Sequence, residues 1–162
     1  MEDKRILHLS SEKGKFIVND CLDSKLFINT LKLQKMLIIA HGEMLSRYDK
    51  PLFKEKVMTS EYGLFIPEVE KDFLMYENEF NQRLPIYVSL NELEEEIINE
   101  VVEIYGSFGQ FKINNVEELQ KLKQICYKKN SRRVVPNDII KEVFNEKNNR
   151  IGSQSFVKKL KK

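Results

Sequence analysis

Thr30-Leu31-Lys32-Leu33-Gln34-Lys35-Met36-Leu37-Ile38-Ile39-Ala40-His41-Gly42-Glu43-Met44-Leu45-Ser46 reads as a helix that has to be covered on more than one side. Leu33, Leu37, Ala40 and Met44 recur at helical spacing and form one apolar stripe. Residues 36–40 are apolar without a break, so the middle of the helix is hydrophobic nearly all round. A helix of that kind sits inside a domain rather than on its surface. Thr30 is the predicted N-cap. Gly42 is the one helix-weakening residue before Ser46, at about 1 kcal/mol relative to alanine.

The flanking sequence supplies pieces to wrap this rod. Ser10 or Ser11 with Glu12 starts a first helix, with Phe16, Ile17, Asp20 and Cys21 roughly on one side. Tyr48-Asp49-Lys50-Pro51 is a turn, because proline disfavours helix at the residue before it. Leu52 and Phe53 then anchor back onto the core. Residues 57–62 are β-prone and end at Gly63; a short helix follows, with Pro67 in its first turn. Residues 84–88 are a second β-prone run, expected to pair with 57–61, and Pro85 confines it to an edge. Ser89 or Asn91 caps the clearest amphipathic helix, with Leu93, Ile97, Val101, Ile104 and Tyr105 on one face and six glutamates around the rest. Asn114 or Asn115 caps a helix carrying Leu119, Leu122 and Cys126. Pro136-Asn137-Asp138 opens the last helix, whose apolar pattern fades after Asn145. The prediction is a mainly α fold: a compact bundle of five to six helices around a central hydrophobic helix, with a small two-stranded β element. One domain is expected over residues 10–148, between a flexible N-terminus (1–9) and a basic flexible tail (149–162).

Composition narrows the function classes. No apolar run approaches the roughly 20 residues of a membrane span, and the first residues contain no signal-peptide core, so a cytoplasmic protein without a membrane partner is expected. Cys21 and Cys126 lack CxxC spacing and are expected to be reduced thiols. Arg150, Lys158, Lys159, Lys161 and Lys162 place five positive charges and no acid in the last thirteen residues. Removing them from 27 basic residues leaves 22 against 25 acids, so the body carries about −3. An acidic body argues against a nucleic-acid-binding face.

No catalytic set stands out, and neither a cofactor nor a metal is expected. His8 and His41 are the two histidines. His41 has no carboxylate at helical neighbour spacing, and a structural or surface role is expected for it. Glu94-Glu95-Glu96 point in three directions on one helix and read as a solvated face rather than a metal site. The glycines form neither a P-loop nor a dinucleotide fingerprint. Arg132, Arg133, Lys158, Lys159 and Lys161 are candidates for phosphate contact, without the interleaved aromatics of a nucleic-acid surface.

Three stretches in order carry a family resemblance. Leu31-Lys32-Leu33-Gln34-Lys35-Met36-Leu37 is followed by Lys50-Pro51-Leu52-Phe53 and then Tyr62-Gly63-Leu64-Phe65-Ile66-Pro67-Glu68. The closing residues 135–144 fit as well. Together they resemble the Panacea domain family, which includes SocA-like antitoxins and phage-associated GepA-like proteins. Thr59-Ser60 and Leu64 depart from the family's usual Ala-Trp and proline, so the chain resembles a divergent member. The resemblance implies a non-enzymatic antitoxin of a toxin–antitoxin system, neutralising a cognate protein toxin by direct binding. Some members resemble adaptors that deliver a partner to a protease. Tyr62, Gly63, Phe65, Pro67 and Glu68, with Lys32 and Lys35, are the expected partner-binding residues. Ile66 is expected to pack inward, and both orientations stay open for Phe65. The alternative is a phage- or mobile-element-associated regulator that binds nucleic acid through the arginine pair and the tail lysines.

Overall fold

The computed structural model describes residues 7–160, with side chains described through Arg150. In chain order the elements are α1 (Leu9–Asp23), α2 (Thr30–Tyr48), β1 (Val57–Ser60), β2 (Gly63–Phe65), α3 (Pro67–Asp72), a 3-10 turn (Leu74–Tyr76), α4 (Glu92–Tyr105), α5 (Gln110–Asn114), α6 (Glu117–Cys126), β3 (Val134–Val135) and α7 (Asn137–Leu160). The fold is mostly helical with a small antiparallel sheet. None of the described helices is long and apolar enough to cross a membrane.

Helix α2 is the axis of the domain. Every residue from Thr30 to Leu45 is buried except Leu31. Helices α1, α4 and α7 pack along it, with α3, α5 and β2 against other parts of its surface. Asn29, not Thr30, is the N-cap: its side-chain oxygen accepts from the Lys32 N–H at 2.9 Å. The Thr30 hydroxyl instead donates to the Phe73 carbonyl at 2.6 Å, which ties the end of α3 to the start of α2. Leu52 and Phe53 are buried, as the anchor reading requires.

Gly42 has a positive reason to be glycine. A Cβ there would lie 2.4 Å from the ring of Phe144, a fully buried residue of α7. The weak helix former is what lets α7 close on α2. Gly42→Ala is expected to lower stability by about 1–3 kcal/mol through overpacking, despite alanine's better helix propensity. Urea denaturation measures this; equal or greater stability would disprove the close approach.

The sheet differs from the predicted ribbon. β1 pairs antiparallel with β2 across a tight turn, Met58 opposite Phe65 and Ser60 opposite Gly63. Its other edge pairs with β3, Val57 opposite Val135. The order is β2-β1-β3, three strands rather than two. Residues 84–88 form no strand. Pro85 has no N–H to donate, and the neighbouring Leu84 backbone is taken by the Asn19 side chain of α1, which donates to its carbonyl at 3.0 Å and accepts from its N–H at 2.7 Å.

Two further elements depart from expectation. Helix α5, five residues long, is too short to show periodicity, yet it buries Ile113. Helix α7 continues through Leu160 rather than giving way to a tail at 149. Its pattern fades after Asn145 because its contacts with α2 turn polar: the Ser46 hydroxyl donates to Asn145 and accepts from Asn148, and Lys147 pairs with Glu43 at 2.9 Å. Of the flexible terminus expected over 1–9, residues 1–6 lie outside the described residues. His8 is tethered to Asp72 at 2.9 Å, and Leu9 already begins α1.

Candidate functional site

Four separate segments enclose a groove of about 950 Å³. Its walls are the first turns of α2 (Thr30, Leu31, Gln34, Lys35), the hairpin (residues 60–65), α3 with the turn after it (Glu70, Leu74, Glu77, Asn78), and the loop after α6 (Tyr127, Asn130, Ser131, Arg132).

The hairpin hangs on α2 by side chains that imitate strand pairing. The Gln34 amide donates to the Ile66 carbonyl at 3.1 Å, and its oxygen accepts from the Ile66 N–H at 2.8 Å. Lys35 Nζ donates to the Leu64 carbonyl at 2.8 Å. The outer edge of β2 is thereby occupied. Gly63 has φ +116°, where L side chains are strained, and a Cβ on it would approach Lys35 Nζ to 2.9 Å.

Polarity within the groove is uneven. Lys35 is buried, and burial pushes its ammonium down to about 8, with the like charge of Lys123 adding to the effect. Lys123 itself donates to the Glu61 carbonyl at 2.9 Å. The Arg132 guanidinium lies 5.2 Å from the centre of the Phe65 ring, within cation–π range. Glu61, Glu70 and Glu77 line other parts of the groove. Around it stand exposed apolar side chains: Tyr62 at 88%, Leu74 at 58% and Leu31 at 56% exposure. Such a surface can hold apolar side chains and a small number of charges.

The structure brings together Tyr62, Gly63, Phe65 and Lys35 of the predicted partner-binding set. Phe65 is mostly covered yet lines the groove, while Ile66 is fully buried, as expected. Lys32 is a correction. It is buried between α2 and α4, its ammonium donating to the carbonyls of Phe27 and of Gly106, which ends α4. A cation at a helix C-terminus is stabilising there and unavailable to a partner. Pro67 and Glu68 are half-buried in the first turn of α3 and lie outside the groove wall. They belong to the scaffold that places residues 62–65.

The alternative phosphate-binding set is split. Arg132 lines the groove, whereas the backbone of Arg133 joins the β1 edge, where its carbonyl accepts from the Thr59 N–H at 2.8 Å. Lys158, Lys159 and Lys161 lie outside the residues whose side chains are described. His41 has a structural place. It is fully buried and stacked 4.1 Å from Phe53. Its Nδ1 accepts from the Leu52 N–H at 3.2 Å, so the proton sits on Nε2, which donates to Asn137 at 3.0 Å. Cys21 and Cys126 are free and buried, and burial pushes the Cys21 thiol up to about 11. Sequence reading missed Leu31 and Leu74. The one available signal was that Leu31 lies off the apolar stripe of its own helix.

Neither the curated proteins nor the solved structures contain a match to this chain. The profile of a protein family described as "Antitoxin SocA-like, Panacea domain" matches residues 33–121, more than half of the chain. That span holds α2 from Leu33 onward, the hairpin, α3, α4, α5 and the first half of α6, and with them the hairpin and α3 walls of the groove together with Gln34 and Lys35; Thr30, Leu31 and the loop carrying Arg132 lie beyond it. With this match extending over more than half of its length, the chain belongs to the SocA-like antitoxin, Panacea domain family.

Proposed function

We propose that this protein is a cytoplasmic antitoxin that neutralises a cognate protein toxin by binding it directly, without catalysis, with the groove beside α2 as the docking surface. One observation carries this reading. Segment 62–65, within the span that the family model matches, lies in a concavity ringed by exposed Tyr62, Leu31 and Leu74. Large apolar side chains left in solvent around a concave surface mark protein-docking sites, and aromatic residues there tend to dominate the binding energy. The exposed acids of α4, among them Glu92, Glu95, Glu96 and Glu103, suit attraction of a basic partner and would raise the encounter rate.

Co-expression with the product of the adjacent gene tests the reading. The wild-type chain is expected to restore growth and to co-purify with that product. Tyr62→Ala, which removes an exposed side chain and leaves the core untouched, is expected to cost about 2 kcal/mol of binding and to weaken rescue. Lys54→Ala, at an exposed position outside the groove lining, serves as the control. Absence of a complex, or rescue indifferent to Tyr62→Ala and Leu31→Ala alike, would eliminate the proposal.

A further inference from the structure

We propose that the groove receives a peptide segment of the partner protein that carries a carboxylate, and that Lys35 is the group that binds this carboxylate. The inference rests on the reading of the groove as the docking surface and specifies the chemistry of its occupant.

The buried lysines Lys13 and Lys32 and the half-buried Lys147 provide the comparison. Lys13 pairs with Glu94, and Lys147 with Glu43. Lys32 has two backbone carbonyls, one of them at a helix end. Lys35 differs from all three. Its ammonium has three N–H groups and a single hydrogen-bond acceptor, the Leu64 carbonyl, and it forms no ion pair among the described residues. A desolvated ammonium left in that state is costly, and an anion brought to it would recover the cost.

Access is built in. Lys35 lines the groove, and Gly63 leaves open the space beside Nζ that any other residue's Cβ would enter. Arg132, held on the face of Phe65, supplies a second cation flanking the same short stretch of hairpin. Leu31 and Tyr62 provide apolar surface for the neighbouring side chains of the segment. The segment does not extend the sheet, because Gln34 and Lys35 already occupy the β2 edge. A nucleic-acid strand fits less well. Its successive phosphates would meet Glu61, Glu70 and Glu77 in the same groove, where a peptide needs only one anion at the cationic part.

The test pans a phage-displayed library of random twelve-residue peptides against the full chain, then measures synthetic versions of the selected peptides by fluorescence anisotropy. The selected sequences are expected to share an Asp or Glu beside an apolar residue. Lys35→Met and replacement of that acid by its amide are each expected to weaken binding on the order of 30-fold, with little further loss when combined. The Met substitution keeps length and removes the buried charge together with its hydrogen bond to the Leu64 carbonyl, so a melting temperature within a few degrees of wild type certifies the fold. The peptide substitution leaves the protein untouched. Failure to select any peptide, binding indifferent to both changes, or Lys35-dependent binding of a single-stranded oligonucleotide in place of peptides would overturn the inference. Toxin rescue that is lost with Tyr62→Ala but kept with Lys35→Met overturns the carboxylate while leaving the docking surface standing. Rescue indifferent to both removes the docking surface itself.

Discussion

Glu94→Ala is expected to lower the stability of the protein by about 3–5 kcal/mol, while Glu95→Ala, one residue along, changes it by less than about 0.5 kcal/mol. Glu94 is buried, forms an ion pair with Lys13 of α1 and completes the capping box that starts α4. Lys13 also donates to the Leu52 carbonyl at 2.7 Å, so this one pair joins α1, α4 and the turn after α2. Removing the carboxylate leaves a buried ammonium without its counter-charge, and the loss exceeds what the intact pair contributes. Glu95 is exposed and has no such partner among the described residues. Chemical denaturation at pH 7 separates the two variants. The double variant Lys13→Met/Glu94→Leu, which removes both charges, is expected to recover much of the loss. Equal stability of the Glu94 and Glu95 variants would show that α1 and α4 are not joined this way.

Acidification is expected to destabilise the protein through His41 between about pH 6.5 and pH 4. Burial lowers the pKa of its ring from the ordinary 6.5 to about 4 in the folded chain. Above pH 6.5 the ring is neutral in both folded and unfolded states, and its contribution is fully present. Below that, the unfolded chain takes up a proton that the folded chain refuses. Stability therefore falls by about 1.4 kcal/mol per pH unit, to a total of about 3 kcal/mol, until the folded ring titrates near pH 4. His41→Asn, whose side-chain oxygen can accept from the Leu52 N–H and which never charges, is expected to flatten the stability profile over this window. Urea midpoints at half-unit pH intervals for both proteins decide it. Parallel profiles would mean that His41 is not the group responsible. The charge change would act where α2, the Leu52 turn and the start of α7 meet, away from the groove.

Much of the fold was legible in residues 30–46, and the reasons are local. An uninterrupted apolar centre can be read without knowing what covers it, and so can the Pro67 start of α3, whereas the choice of Asn91 over Ser89 as the cap of α4 came with the structure. Glu94-Glu95-Glu96 shows where local reading stops. The three look equivalent in sequence, and only the approach of Lys13 from α1 makes the first of them structural. Lys32 and Lys35 show the same limit, since three positions of helical spacing send one ammonium to the end of α4 and the other to the hairpin. The ribbon expected from residues 84–88 failed because Asn19, far away in sequence, claims the Leu84 backbone.

By itself the sequence determined that α2 is the buried axis and that helices wrap it, because hydrophobic periodicity, caps and turn residues act over a few positions. Tertiary structure alone decided that Gly42 admits Phe144, that Lys35 has no counter-charge among the described residues, and that Arg132 joins Phe65 in one groove. Those facts depend on which surfaces meet when segments distant along the chain pack together, and no pattern along the chain records that.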